Sequence, residues 1–283
     1  MQNKVNLAII GFPLDHSRSP ELHNYALNYH HIPGEYKKLS IKPGVFGQIV
    51  NELKNKDYRG FNITVPYKQK IIPYLDEIDP LAQRVNAVNT ILVEEKRWIG
   101  YNTDVMGFIH PLSVLNIKIN RALVIGAGGA AMAVCHALMD AYTDINLIIA
   151  NRSEQRLRFL MAHLAQSGAT QKVDAIYPLE AISREQPMVD LIVNATSIGM
   201  GDMRNTSPLD FSKLNHYPQI AYDLIYNPQQ TPFLKSARNY GVGHCINGWP
   251  MLLNQADKSF QIWTGKTFPP ALYSQHKKME NKD

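Results

Sequence analysis

The stretch Gly60-Phe61-Asn62-Ile63-Thr64-Val65-Pro66-Tyr67-Lys68 brings two hydrogen-bonding side chains and an amine to the end of an apolar run. Alternation along a strand puts Asn62 and Thr64 on one face, and Pro66 stops the strand before Lys68. Open α/β sheets bind ligands beyond such strand ends. A lysine held there can give a proton to a reacting oxygen or take one from it. Taken alone, Lys68 reads as an ordinary solvated residue. Gly100-Tyr101-Asn102-Thr103-Asp104 repeats the polar strand end. Asp104 can orient Lys68 and bind a substrate hydroxyl, or it can simply cap a helix beginning near Val105. Ser19-Pro20 reads as a cap followed by proline at the first helical position, which leaves Ser17 without a structural duty.

Leu123-Val124-Ile125-Gly126-Ala127-Gly128-Gly129-Ala130-Ala131 is an apolar strand running into a glycine-rich turn and a helix, with glycine or alanine at the fingerprint positions 126, 128 and 131. Glycine permits the tight turn and lets the backbone approach a pyrophosphate, whose charge the free helix amides and the helix dipole favour. The next strand, Ile145 to Ala150, ends in Asn151-Arg152-Ser153, with Arg156 one turn beyond Arg152 and no acidic residue at the strand end. A carboxylate there would hold an unphosphorylated ribose, whereas guanidinium groups pair with a phosphate, so NADP is expected over NAD. The alternative is a solvated arginine pair at a helix start, where cations are mildly unfavourable. Hydride transfer to a carbonyl also needs a proton at the oxygen, which is the chemistry Lys68 can supply. His23, His30 and His31 share one expected helix without a third ligand at a recognisable spacing, so no metal centre is expected and surface or capping roles are.

Elements must carry these residues. Strand-like and helix-like segments alternate from Val5 to Val65 and again from Ala122 to Asp223, the rhythm of layered α/β architecture. From Gly248 onward, Leu252, Ala256, Phe260 and Trp263 recur at helical spacing, and a further helix is expected after Pro269-Pro270. At 283 residues, 45% hydrophobic and 19% charged, the chain reads as a globular protein of two compact units; fibrous and disordered classes are excluded. The net charge of +5 is dispersed. Its closest groupings, Lys37-Lys38, Lys96-Arg97 and Lys277-Lys278, lack interleaved aromatics, so no nucleic-acid partner is expected. Cys135 and Cys245 fit neither a metal motif nor a disulfide framework, which points to buried, reduced thiols in the cytoplasm. The run from Val5 to Leu14 contains Asn6, Gly11 and Pro13 and reads as a strand rather than a secretory segment, and Ala122 to Leu138 is broken by glycines, so no membrane association is expected.

The combination resembles the shikimate dehydrogenase family, in order and over nearly the whole chain: Gly11 to Pro20 with His23-Asn24, Asn62 to Lys68, Ala87-Val88-Asn89-Thr90, Asn102-Thr103-Asp104, Gly126 to Ala130, Asn151-Arg152-Ser153, Asn194 to Met200, Asp223-Leu224-Ile225-Tyr226-Asn227-Pro228, and Gly248 to Leu252 with Gln255. The resemblance implies NADP-dependent, reversible reduction of 3-dehydroshikimate to shikimate by a monomer or homodimer. It also implies an N-terminal α/β substrate domain and a Rossmann-type NADP domain facing each other across a cleft, here residues 1–104 completed by 248–283, and 105–247. By motif position, Ser17 and Ser19 would bind the substrate carboxylate with Tyr226 nearby. Asn62, Thr64, Asn89, Asp104 and Gln255 would hold the ring hydroxyls and reacting oxygen, and Lys68 would move the proton. Gly126, Ala127, Gly128, Gly129, Ala130, Asn151, Arg152, Ser153, Arg156, Thr196, Leu224, Gly248 and Met251 would contact NADP. Ser153 stands where the family commonly has Thr, and Trp249-Pro250 is a bulky variation after Gly248. The rivals are a quinate/shikimate dehydrogenase tolerant of NAD, a non-catalytic NADP-binding regulator, and a methylene-tetrahydrofolate dehydrogenase-like enzyme, in which the serine pair and the Asn-Thr-Asp block would have no obvious task.

Overall fold

A computed structural model describes residues 4–168 and 171–274. The chain divides into two compact units, one holding the described residues up to Gly107 together with those from Leu253 on, the other Phe108–Leu252. The divisions fall inside helices, a few residues from the expected positions 104 and 248. Lys277-Lys278 lies outside the described residues.

The first unit contains β1 (Val5–Gly11), α1 (Ser19–Tyr29), β2 (Gly34–Ser40), α2 (Phe46–Leu53), β3 (Gly60–Ile63), β4 (Glu77–Ile78), α3 (Pro80–Val85), β5 (Thr90–Glu94) and β6 (Arg97–Tyr101). Its sheet runs β2-β1-β3-β5-β6-β4. β1 pairs parallel with β2 and β3, which is why its sequence is a continuous apolar run rather than an alternating one. β5 is antiparallel to β3 and β6, and the hairpin between β5 and β6 turns at Glu95 and Lys96, both at positive φ. A core of Ile10, Phe61, Tyr67, Ile91 and Trp98 lies on the sheet. The C-terminal segment completes this unit. From α9 (Trp249–Thr264), Trp263 donates its indole N–H to the Ile91 carbonyl at 2.8 Å. Gly60 makes the approach possible, since a Cβ there would stand 2.1 Å from Trp263 Nε1. Helix begins again at Pro270.

The second unit follows α4 (Asp104–Leu115) with β7 (Arg121–Ile125), α5 (Gly129–Ala141), β8 (Asn146–Ala150), α6 (Glu154–Gln166), β9 (Val173–Ile176), α7 (Ile182–Glu185), β10 (Leu191–Asn194), β11 (Ile220–Asp223), α8 (Pro232–Asn239) and β12 (His244–Ile246). All six strands are parallel, in the order β12-β11-β10-β7-β8-β9. This is the doubly wound dinucleotide-binding order, with the switch point between β7 and β10. Sequence patterning passes over β4, α3, α7, α8 and β12. Of the two cysteines, Cys135 is fully buried with its thiol pushed up to about 12 by desolvation, while Cys245 is only half-buried, because it sits on the short outer strand β12.

Candidate active site

In the first unit the carboxyl ends of β1 and β3 lie side by side, with β2 reached from β1 through α1 on the other side, so the sheet has a switch point here as well. Gly11 and Thr64 touch there: a Cβ on Gly11 would stand 2.3 Å from Thr64 Cγ2. Beyond β3, Tyr67 turns inward, stacking on Phe46 with ring centroids 4.0 Å apart and donating its hydroxyl to the Ile41 carbonyl at 2.5 Å. Lys68 is thereby turned the other way, with its own carbonyl held by Val88 N–H at 2.8 Å.

The Lys68 ammonium donates to Asp104 Oδ2 at 2.6 Å, and the two side chains are 17% and 7% exposed. In a pair this shielded, removing one partner leaves the other charge buried and uncompensated, a far larger cost than at the surface. Asp104 is the first residue of α4 and not its cap: Asn102 Oδ1 accepts from the Asp104 and Val105 amides at 3.0 and 3.3 Å, leaving the Asp104 carboxylate to other partners. Asn89 Nδ2 donates to Asp104 Oδ1 at 2.8 Å and to Thr103 Oγ1 at 2.9 Å, while Asn89 Oδ1 accepts from Thr103 N–H at 2.8 Å. Gln255 Oε1, from α9, closes the group at 3.5 Å from Asn89 Nδ2.

Asn62 serves this group from below. Its amide donates to the Asn89 carbonyl at 3.1 Å, Thr90 Oγ1 at 3.2 Å and Ser259 Oγ at 3.1 Å, and accepts from Tyr36 O–H at 2.7 Å. Ser19 is buried and its hydroxyl is hydrogen-bonded to Tyr36. It is not the cap of α1: the helix begins at Ser19, Arg18 occupies the cap position with its side chain turned to Glu21 rather than to the helix amides, and Pro20 is second. Ser17 does have a local task, accepting from Ser19 N–H at 3.4 Å. His23 is neither a surface nor a capping residue. It stacks on Tyr36 at 4.4 Å among Phe260, Trp263 and Phe268, and burial pushes its pKa down to about 3. Thr90 and Ser259, whose hydroxyls lie 2.8 Å apart, belong to the same network and carry no role in the sequence reading. Ser259 stands four residues after Gln255, on the same helix face, which was the available signal.

In the second unit the glycine-rich turn joins β7 to α5. Gly126 has φ +122°, and a Cβ there would meet the Ala195 carbonyl at 3.0 Å, so the turn itself demands glycine. Gly128 meets nothing within 4 Å and caps α5 without a side chain, so the space over the helix amides is left open to a ligand, with Ala127, Gly129 and Ala130 around it. That open, amide-lined turn fits a pyrophosphate. At the end of β8, Asn151 Nδ2 donates to the Ser153 carbonyl at 2.9 Å, and Ser153 Oγ caps α6 by accepting from Arg156 N–H at 3.4 Å. The Arg152 and Arg156 side chains are exposed, and among the described residues neither pairs with a carboxylate. Thr196, after β10, donates its hydroxyl to Asn194 Oδ1 at 2.7 Å. Gly248 packs on Leu224, whose carbonyl would stand 2.0 Å from any Cβ at 248. Met251 is buried in the first turn of α9. Tyr226 is half-buried after β11, its ring 6.3 Å from Trp249.

A family model described as the shikimate dehydrogenase substrate binding domain matches residues 9–91. A curated relative from Moorella thermoacetica, shikimate dehydrogenase (NADP(+)), is 40% identical over 272 residues, covering 94% of this chain and 90% of the relative. Among solved structures, shikimate 5-dehydrogenase from Thermus thermophilus in complex with NADP(H) and shikimate is 34% identical with a TM-score of 0.80, over 95% of this chain and 96% of that one. Quinate dehydrogenase from Corynebacterium glutamicum in complex with NAD is 28% identical with a TM-score of 0.82, over 94% and 95%.

Proposed function

The chain belongs to the shikimate dehydrogenase family and is an NADP-dependent oxidoreductase of the shikimate pathway, and on that premise we propose that Lys68 and Asp104 form its proton-transfer pair. It interconverts 3-dehydroshikimate and shikimate. The observation that carries the proposal is the shielded 2.6 Å contact between Lys68 Nζ and Asp104 Oδ2 at a strand-end switch point.

Reduction of a ketone to an alcohol adds a hydride to carbon and a proton to oxygen. Bound NADPH supplies the hydride. Lys68 gives its proton to the carbonyl oxygen, and in the reverse direction takes one from the alcohol. Asn89 holds Asp104 Oδ1, so that Oδ2 faces Lys68 and keeps its ammonium in place. Asp104, Asn89, Gln255 and Thr64 then present hydrogen-bonding atoms to the ring hydroxyls, while Asn62 holds Asn89 from beneath. Ser17 and Ser19, after the neighbouring strand, hold the substrate carboxylate. For the cofactor, Gly126 to Ala130 would hold the pyrophosphate, Asn151, Arg152, Ser153 and Arg156 the 2′-phosphate, and Thr196, Leu224, Gly248 and Met251 the remainder. We place the enzyme in the cytoplasm, as a monomer or homodimer. Its two cysteines are unpaired, and among the described residues no helix is long and apolar enough to cross a membrane.

The test is NADP reduction on adding shikimate, with quinate and NAD as controls, in the natural chain and in Lys68→Ala. The variant should lose roughly 10² to 10⁴ in kcat with KM for shikimate nearly retained. Unchanged turnover would refute the proton-transfer pair, and equal use of quinate and NAD would make the chain a quinate/shikimate dehydrogenase.

A further inference from the structure

The Asp223 carboxylate at the end of β11 is fully buried, and it gathers donors from three stretches of chain. Asn194 Nδ2, closing β10, and Ile225 N–H, in the loop that follows, both reach Oδ1 at 3.0 Å. Thr231 Oγ1 reaches Oδ2 at 2.6 Å. All three donors are neutral, and among the described residues no cation pairs with this carboxylate. Burial accordingly raises its pKa to about 6. An ionised group without a cation is a destabilising choice in an interior, so its gain lies elsewhere: bonds to a charged acceptor are roughly twice as strong as neutral ones.

Those bonds act on the residues facing the cofactor. With Nδ2 drawn to Asp223, the Asn194 amide can be oriented only one way, and its Oδ1 then accepts from Thr196 N–H at 3.1 Å and Thr196 Oγ1 at 2.7 Å. Asn194 Nδ2 also reaches the Ile198 carbonyl at 3.1 Å, and Thr196 Oγ1 accepts from Ile198 N–H at 3.1 Å, so the whole turn after β10 hangs on one amide. On the other side, Ile225 is fixed by its own N–H, and its carbonyl receives Gly248 N–H at 3.0 Å, which seats Gly248 against Leu224. Asp223 itself has no exposed surface with which to touch a ligand.

We propose that Asp223 is the positioning residue of the cofactor site, setting from beneath the turn that carries Thr196 and the segment that carries Leu224 and Gly248, and thereby the affinity for the dinucleotide. The proposal rests on the reading that this unit binds NADP.

Titrating the full chain with NADPH, followed by the cofactor's fluorescence, tests it. Asp223→Ala should raise Kd about tenfold, the effect of one lost hydrogen bond, with every molecule still competent to bind. Asp223→Asn keeps an acceptor oxygen for Asn194 and Ile225 and should stay within about threefold of the natural chain. Thr231→Val removes the third bond and the cap of α8, and should lower Tm without moving Kd. A purely structural Asp223 would instead reduce the competent fraction and leave Kd unchanged in the molecules that remain, which overturns the proposal. Equal losses in the Ala and Asn variants overturn it too. If Asp223→Ala does not fold, Asn194→Ala removes the same orienting amide, and an unchanged Kd there is decisive against it. A natural chain that fails to bind NADPH refutes the cofactor reading instead.

Discussion

Arg152 and Arg156 show how much a single residue type can decide. Arg152 follows β8 and Arg156 stands in the first turn of α6, and among the described residues neither has a carboxylate partner, so a phosphate that reaches them meets two exposed guanidinium groups. Hydrogen bonds to charged groups contribute about 1.5–3 kcal/mol each. Arg152→Ala with Arg156→Ala should therefore raise KM for NADP about 10²-fold and leave KM for NAD nearly unchanged, as steady-state kinetics with both cofactors will read; equal effects would refute the phosphate clamp. At this scale the sequence was informative wherever a residue's chemistry had no structural use. Lys68 and the arginine pair received their proposed roles for that reason. Where a residue had a plausible local task two readings stayed open, because cap positions depend on backbone angles that one position can shift: Asn102 caps α4 and leaves Asp104 to Lys68, and α1 starts one residue before the proline pattern suggests. Asn194 and Asp223 belonged to recognised motifs and still had no role assigned, since a buried orienting residue declares itself only through the partners that folding brings to it.

Among the elements, α1 has the clearest dependence on solution conditions. Its His23 is sandwiched between aromatic rings of β2 and α9 and is held neutral, with a pKa near 3 against an ordinary 6.5. The unfolded chain takes up a proton at this residue below pH 6.5 while the folded chain refuses it, so the stabilisation present above pH 6.5 is lost as pH falls toward 3, at up to about 1.4 kcal/mol per pH unit. Asp223 works in the opposite sense, its raised pKa favouring the folded state as pH falls below about 6. The two lie in different units, so acid weakens the first while easing the second. Urea midpoints between about pH 7 and 5 should fall less steeply in His23→Phe than in the natural chain; parallel slopes would remove His23 from the account. Long amphipathic or glycine-bounded elements were legible in advance, as β7 through α6 illustrates. α3 and α8 were not, though Asp79-Pro80 and Thr231-Pro232 both announce a cap followed by proline, and both caps form: Asp79 Oδ1 accepts from Leu81 N–H at 2.9 Å and Thr231 Oγ1 from Leu234 N–H at 3.3 Å. β12 is three residues with no alternation to read.

The chain as a whole is two cores on one discontinuous thread. α9 supplies the first unit with Gln255, Ser259 and Trp263, which bond Asn89, Asn62 and the Ile91 carbonyl. A chain ending at Leu252 should therefore lose shikimate binding and all turnover while NADPH titration still saturates; retained dehydrogenase activity would contradict the role given to α9. Synthesis gives this arrangement a temporal meaning. The strands that lead to Lys68 and Asp104 leave the ribosome before α9, so Gly60 waits for Trp263, and Asn62 and Thr90 for Ser259, while the stretch from Phe108 to Leu252 is made, roughly 7 to 30 s at about 5–20 residues per second. The unit encoded in the middle is complete before the one encoded at the start, and a nascent chain can hold its cofactor before it has a place for its substrate.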